Sequence, residues 1–447
     1  MVQQVEIGGG APAFATKRKM RRPGVVLTAL TVVYILNFLD RQLLGILAKP
    51  IQDELQITDG QLGLIGGLYF AMFYCFIAIP VGWLADRTNR VGVLSIACGI
   101  WSAATIACGL ARTYPQLVVA RMAVGFGEAG GVPPSYALIT DTFPAGKRGF
   151  AFGIFNLGPP IGAALGIALG ATIAAVFDWR DAFIAIGVVG LITATALPFL
   201  IPEPKRGATD EMDVDSKPEA APFWTTVRAF FANPVLTLAA LGSGATQFVT
   251  YGLGNFAVLF LMREKGMTLS EIAFWYALAI IVGMGGGMIA SGKLIDRLSR
   301  RSRTTFATAP AASLAVAAPF YLGFVWAPSW ELALGLLTIV MFFNYFYLSC
   351  SITLVQEEVS PNQRVLAGAL LLLVMNFIGL GLGPTWVGAA SDWFAARGSI
   401  ANSLQLALYT LTPFYAIAIA LFVMLARAIR SADMRLHKNT LAHESEG

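Results

Sequence analysis

The sequence predicts an all-α membrane protein of twelve transmembrane helices, arranged as two pseudo-symmetric six-helix bundles. Three observations carry this. Only 13% of the 447 residues are charged and 56% are hydrophobic, against roughly 25% charged in a soluble domain. The apolar residues come in runs of about 20, the length a helix needs to cross roughly 30 Å of hydrocarbon; 25–39 and 91–110 hold no charge at all. And one motif recurs, as Gly82-Trp-Leu-Ala-Asp86-Arg87 and as Gly292-Lys-Leu-Ile-Asp296-Arg297, both G-x-L-x-D-R.

The spans are expected at 24–47, 60–84, 92–111, 115–140, 148–176 and 181–201 in the first half. In the second they fall at 235–262, 271–293, 306–327, 331–355, 364–391 and 403–427. The repeated motif then sits between spans two and three, and again between eight and nine. Two weaker echoes support the duplication. PAGKRGFAFG from Pro144 resembles PNQRVLAG from Pro361, and Gly158-Pro159 in span five matches Gly383-Pro384 in span eleven. Two related halves around a midplane site is a transporter architecture.

The domains follow: a tail at 1–23, bundles at 24–201 and 235–428, a linker at 202–234 and a second tail at 429–447. The linker is polar, with Glu203, Lys205, Arg206, Asp210, Glu211, Asp213, Asp215 and Lys217, and cannot bury a core. A surface helix is expected near its end, around Phe223, Trp224 and Phe230.

Charge placement gives orientation. With the N-terminus inside, six of the 31 lysines and arginines fall on outer loops: Lys49, Arg112, Arg180, Arg263, Lys265 and Arg397. Two, Arg41 and Arg121, fall inside spans, and the other 23 lie on the inner side. Both termini are therefore expected in the cytoplasm, the membrane being the plasma (inner) membrane if the source is bacterial. The basic group at Lys17 to Arg22 precedes a full-length span, which does not read as a cleaved leader.

Several functions are excluded. The basic residues lie between spans, so the pI near 9.0 reflects topology rather than nucleic-acid binding. Cys75, Cys98, Cys108 and Cys350 lie in apolar runs without metal or redox spacing and read as small buried hydrophobes. The two histidines, His437 and His443, are in the tail. No Ser-His-Asp set or metal-ligand spacing occurs within the spans, so no enzyme, cofactor or metal is expected.

The repeated loops, the two halves and the central linker resemble the major facilitator superfamily over nearly the whole chain. Asn37-Phe-Leu-Asp40-Arg41 in span one and Gly125-Phe-Gly-Glu128-Ala-Gly130 in span four are similar to the Spinster branch. That resemblance implies alternating access by rocking of two halves, and proton-coupled movement of lysophospholipids or sphingolipids. The second loop departs from the first in Lys293 and in the run Arg300, Arg301, Arg303.

Ionisable groups deep in a span are costly and usually functional. Asp40, Arg41, Arg121 and Glu128 are the four. At about 1.5 Å per residue, Asp40 and Arg121 both come out roughly 10 Å below the outer surface, with Glu128 roughly 10 Å deeper than Arg121. If spans one and four are neighbours, as the resemblance implies, Asp40 is expected to pair with Arg121. Burial disfavours a bare carboxylate and a neighbouring arginine supports it, so separation would load a proton. Arginine cannot release one, which leaves Asp40 and Glu128 as carriers. Arg41 points elsewhere on its helix and could hold an anionic headgroup, orient Asp40 or reach outward.

Asp86, Arg87, Asp296 and Arg297 are superficial and expected to latch the halves at the cytoplasmic side. The glycines at 283–287 and beside Glu128 are expected to permit close helix packing, and Pro133-Pro134 to kink span four. Polar and aromatic residues near span centres are cavity candidates: Asn37, Asn156, Thr246, Gln247, Tyr251, Asn255, Asn344, Tyr345, Tyr347 and Asn376. The expected partners are a small-molecule or lipid substrate, protons and membrane lipids, the protein acting as a monomer. A drug or organic-anion exporter is the nearest alternative; a channel or receptor fits the repeat and buried charges less well.

Overall fold

The computed structural model describes residues 23–204, 223–299, 302–360 and 363–446. The basic group before Arg22, the linker stretch from Lys205 to Lys217, Arg300 and Arg301, and the side chains of Asp86, Asp296 and both histidines lie outside the described residues.

Helices occupy almost all of the rest. Span one is Pro23–Ile46, two is Asp59–Ala85, three is Arg90–Leu110, five is Phe150–Val176 and six is Trp179–Leu200. Seven is Pro234–Arg263, eight is Leu269–Ile295, nine is Thr305–Trp326, ten is Trp330–Glu358, eleven is Leu366–Ala395 and twelve is Ile400–Met434. These eleven are long and apolar enough to cross a membrane. Span four completes the twelve in two pieces, Tyr114–Glu128 of 15 residues and Val132–Thr142 of 11. Each is shorter than the roughly 20 residues a single crossing needs. The break at 129–131 falls just before Pro133-Pro134, whose rings and missing N–H groups do not fit a helix interior.

The breaks repeat between the halves. Span five is interrupted just before Gly158-Pro159, between Ala145–Phe155 and Gly158–Val176. Span eleven widens to an i→i+5 turn over Phe377–Leu382, just before Gly383-Pro384. Span two breaks at Gly67 and span eight widens over Ile281–Gly285. Spans four and ten break near residues 130 and 345. The Gly-Pro echo in the sequence thus marks matching irregularities, the kind of site where such turns cluster.

Apolar side chains such as Ile96, Val119 and Ile192 are 63–66% exposed along the spans, as a lipid-facing surface requires. All four cysteines are free and buried. Phe223–Ala232 forms the expected surface helix.

At the end bearing the termini, each half is tied by one arginine. Arg90, opening span three, holds Asp141 at the end of span four at 2.5 Å and Glu203 after span six at 2.9 Å. Arg303, before span nine, holds Glu358 at the end of span ten at 2.6 Å and Asp433 in span twelve at 3.2 Å. These brackets lie within the halves, not across them.

The two brackets differ in burial. The Arg90 side chain is 5% exposed and that of Arg303 34%. Arg90→Ala removes a buried cation shared by two carboxylates and is expected to cost about 3 kcal/mol. Arg303→Ala should cost less, because solvent screens its partners. Thermal unfolding midpoints of the two variants in detergent check the order.

Candidate functional site

Successive helix residues are separated by about 100°, so Asp40 and Arg41 face different neighbours. Asp40, 2% exposed, points between spans three and six. Its Oδ2 accepts from the Thr105 hydroxyl at 2.9 Å, and Thr105 also lies 2.8 Å from the Trp101 carbonyl. Its Oδ1 has no partner. A void lined by Asp40, Trp101, Ser102, Thr105, Ile186 and Gly187 adjoins it, about one water molecule in size.

Arg41 turns instead toward spans two and four. Its Nε lies 2.5 Å from Glu128 Oε2, and the Glu128 side chain is wholly enclosed. Its guanidinium sits 5.0 Å from the ring centre of Phe38, 5.4 Å from Phe70 and 4.5 Å from Tyr74. Tyr251, from span seven in the other half, is close enough to interact with it electrostatically. Span four reaches this position because it lacks side chains where it crosses its neighbours. A Cβ on Gly125 would lie 2.6 Å from the Phe70 carbonyl oxygen, and one on Gly127 would lie 2.5 Å from the Trp101 nitrogen.

The expected Asp40–Arg121 ion pair is not formed. Arg121 lies against Phe70, 5.2 Å from its ring centre, with Nε and Nη1 buried and unpartnered. Rise along a helix places a residue in depth, not in azimuth, and Asp40 is turned toward Thr105 instead. The carboxylate–arginine pair that does form joins Arg41 to Glu128. Asn37, one turn before Asp40, has both amide atoms unpartnered, as does Glu128 Oε1. So Asn37, Asp40, Arg121 and Glu128 all carry buried polar atoms that nothing satisfies.

The cavity candidates separate. Tyr251, Tyr345 and Asn376 are half-buried. Asn156 accepts from Tyr136 at 3.1 Å. Gln247 is buried with an unpartnered Oε1, and it and Tyr251 are near Tyr347. Asn255 donates to its own helix at Tyr251 O. Thr246 and Asn344 are packing residues instead. Thr246 returns its hydroxyl to Gly242 O at 2.9 Å, and Asn344 exchanges hydrogen bonds with Tyr415 at 3.0 and 3.2 Å, fully within the second bundle.

Sequence reasoning missed the aromatic partners. Tyr34 stacks on Phe155 at 4.4 Å, and Tyr136 packs on Phe152 and Phe155. A signal existed: Tyr34, Asn37, Phe38 and Arg41 fall at i, i+3, i+4 and i+7, one face of span one.

Contacts between the halves gather at the end away from the termini. Asp59, opening span two, takes both arms of Arg263 at 2.8 and 3.0 Å from the end of span seven. It also accepts from Ser391 of span eleven at 2.5 Å and from Gln52 at 2.7 Å. Asp392 accepts from the Gly60 nitrogen at 3.0 Å. Next to this latch, Glu264 accepts from the nitrogens of Leu404 and Gln405; burial pushes its carboxyl up, against the pull of those bonds and of Arg263. The expected latch lay at the other end. There Arg87 stacks on Trp83 at 4.2 Å, and Arg87 and Arg297 are both exposed.

The family model described as Major Facilitator Superfamily matches residues 30–384. An MFS-type efflux pump of Mycolicibacterium smegmatis is 28% identical over 380 residues, 85% of this chain and 86% of that one. The mouse (Mus musculus) sphingosine-1-phosphate transporter SPNS2 is 30% identical over 240 residues, 53% of this chain and 43% of that one. Among solved structures, a bacterial homolog of the human lysosomal transporter Spinster, inward-facing and unoccupied, superposes with a TM-score of 0.84. It is 30% identical and the match covers 92% of this chain and 98% of that one.

Asp59→Ala removes the acceptor of four hydrogen bonds and should loosen the far-end closure. Spin labels at the exposed positions Asp53 and Ala401, one in each half, are expected to shift to longer, broader distances. Arg263→Ala should do the same; unchanged distributions in both would remove the latch role.

Proposed function

Because the chain belongs to the major facilitator superfamily, as a transporter of Spinster type, we propose that it couples protons to the movement of an amphipathic lipid-like molecule with an anionic headgroup. A lysophospholipid or a sphingolipid phosphate has this chemistry. The observation that carries the reading is the buried Arg41–Glu128 pair, set beside the unpartnered Asp40, Arg121 and Asn37.

Asp40, Arg41, Arg121 and Glu128 together sum to zero charge. Arginine keeps its proton, so an incoming anion upsets the balance unless a carboxylate is neutralised. An anionic headgroup arriving at Arg41 competes with Glu128 for the same guanidinium. Glu128, displaced and wholly enclosed, then takes up a proton, because a bare buried carboxylate is far costlier than a neutral one. Proton and substrate are thereby loaded together, and the site stays neutral.

Asp40 has its own means of holding a proton. As a carboxylate it accepts from Thr105. Once protonated it can donate to Thr105, whose hydroxyl then turns to the Trp101 carbonyl. The two states differ by a hydroxyl rotation and no backbone movement.

The half-buried Tyr34, Phe152 and Tyr251 and the exposed Tyr136 supply surfaces for an acyl chain and hydroxyls for a headgroup. The placement of lysines and arginines favours cytoplasmic termini. With that orientation the Asp59 latch closes the outer side and the protein is inward-facing, like the bacterial Spinster homolog. The expected roles of Asp86, Arg87, Asp296 and Arg297 belong to the outward-facing state, in which the cytoplasmic ends meet. Export of drugs is the second reading, favoured by the aromatic surfaces and by the resemblance to an efflux pump.

Reconstituted protein with an imposed pH gradient and a pH-sensitive dye tests the proposal. A single-chain anionic lipid should evoke proton flux, and a cationic dye should not. Asp40→Asn and Glu128→Gln should each lower gradient-driven uptake by at least roughly tenfold, about 1.4 kcal/mol of lost coupling. Unchanged uptake in both variants would exclude them as carriers, and flux evoked by the dye alone would favour the second reading.

A further inference from the structure

The surface helix Phe223–Ala232 packs on spans seven and eleven. A single residue, Asn233, joins it to Pro234, where span seven begins. The junction is rigid. Asn233 accepts from the Val235 nitrogen at 2.8 Å and donates to Glu358 at 3.2 Å, and the Thr237 hydroxyl reaches back to the Phe231 carbonyl at 3.1 Å. The helix is therefore held at the level where a membrane-spanning segment leaves the hydrocarbon.

At about 100° per residue its ten positions fall into three flanks. Thr226 and Phe230, 3% and 1% exposed, face the protein. Phe223, Trp224, Val227 and Phe231 form a second flank, on which Trp224 is 78% exposed and Phe231 49%. Thr225, Ala229 and Ala232 form a third, also exposed. Arg228 lies on the border between the second and third.

We propose that this helix is a lipid-docking element. Its Trp224–Phe231 flank enters the boundary between headgroups and acyl chains in the leaflet nearest the chain termini. Arg228 then lies level with the lipid phosphates, and Thr225 and Ala229 face water. An amphipathic helix in the plane of a membrane divides in this way, with aromatic rings at the interface and a cation beside the anionic groups. The helix's position, one residue from a span, selects a bilayer over a soluble partner. Its contacts with spans seven and eleven fix the second half to the membrane plane, the reference against which rocking of the first half is set.

The test uses the full chain in nanodiscs of mixed phosphatidylcholine and phosphatidylglycerol. The four native cysteines are buried, so single nitroxides can be placed by W224C, F231C and T225C. Labels at 224 and 231 should be relaxed more strongly by oxygen than by a water-soluble nickel chelate, and the label at 225 the reverse. Without labels, brominated lipids should quench the native protein's tryptophan emission more than that of W224F. Nickel access at 224 and 231 equal to that at 225 would overturn the proposal. So would shielding of 224 and 231 from both relaxants, which would mean that protein covers the flank, or equal quenching of W224F and the native chain.

Discussion

The contact between Arg41 and Glu128 sets the terms for the first bundle. A buried pair of opposite charges is tolerated only with good geometry and further partners for its remaining atoms. Here the geometry is good and the further partners are incomplete. Glu128 keeps one free oxygen, and a second arginine lies nearby with two unpartnered nitrogens. Aromatic faces supply part of the compensation. Phe70 is within 5.4 Å of both guanidiniums, and cation–π attraction strengthens where water is excluded. A site built for stability alone would be more fully satisfied; the open valences here are what the proposed proton and anion binding would use.

Span four bears the structural consequence. Bringing Glu128 to Arg41 requires backbone-close crossings of spans two and three, which Gly125 and Gly127 permit. The helix then breaks at 129–131, one residue past the carboxylate. A break frees backbone groups and would be unfavourable against lipid, yet is admissible where protein or water surrounds it. Its counterpart in the second bundle, at Asn344–Tyr345, carries no charge and is closed by the Asn344–Tyr415 pair. The same irregularity adjoins a buried ion pair in one half and a neutral hydrogen-bonded pair in the other.

The sequence revealed the crossings, the duplication and the four buried charges, because hydropathy, motif spacing and net charge are properties of the chain itself. The Gly-Pro echo located two of the helix interruptions for the same reason. Partnering was less legible. Helix rise sets Asp40 and Arg121 at similar depth in the sequence, but a step of one residue around span one sends Asp40 to Thr105 and gives Glu128 to Arg41. Thr246 and Asn344 resembled cavity residues because polarity in a span does not say which way a side chain points. Asp59 resembled an ordinary helix start, preceded by the capping Thr58. Its partners Arg263 and Ser391 are more than 200 and 300 residues away, beyond the reach of local pattern.

The position of the latch bears on how the cycle can turn. The brackets at the terminal end hold spans within a half, so each bundle can move as a body. Across the halves, the far end is closed by Asp59 with its several donors, by Asp392 on the Gly60 nitrogen, and by backbone contacts, as where Gly67 approaches the Gly381 carbonyl. Charge-assisted hydrogen bonds contribute about 1.5–3 kcal/mol each, and part of that returns when water rehydrates the opened groups. A proton moving with the membrane potential supplies about 2.3 kcal/mol per 100 mV. The two quantities are of the same order. A latch of many ion pairs would lock the protein and one of none would leave it unable to seal, so a latch built around the Asp59–Arg263 pair matches the size of the driving force that the proposed proton coupling would deliver.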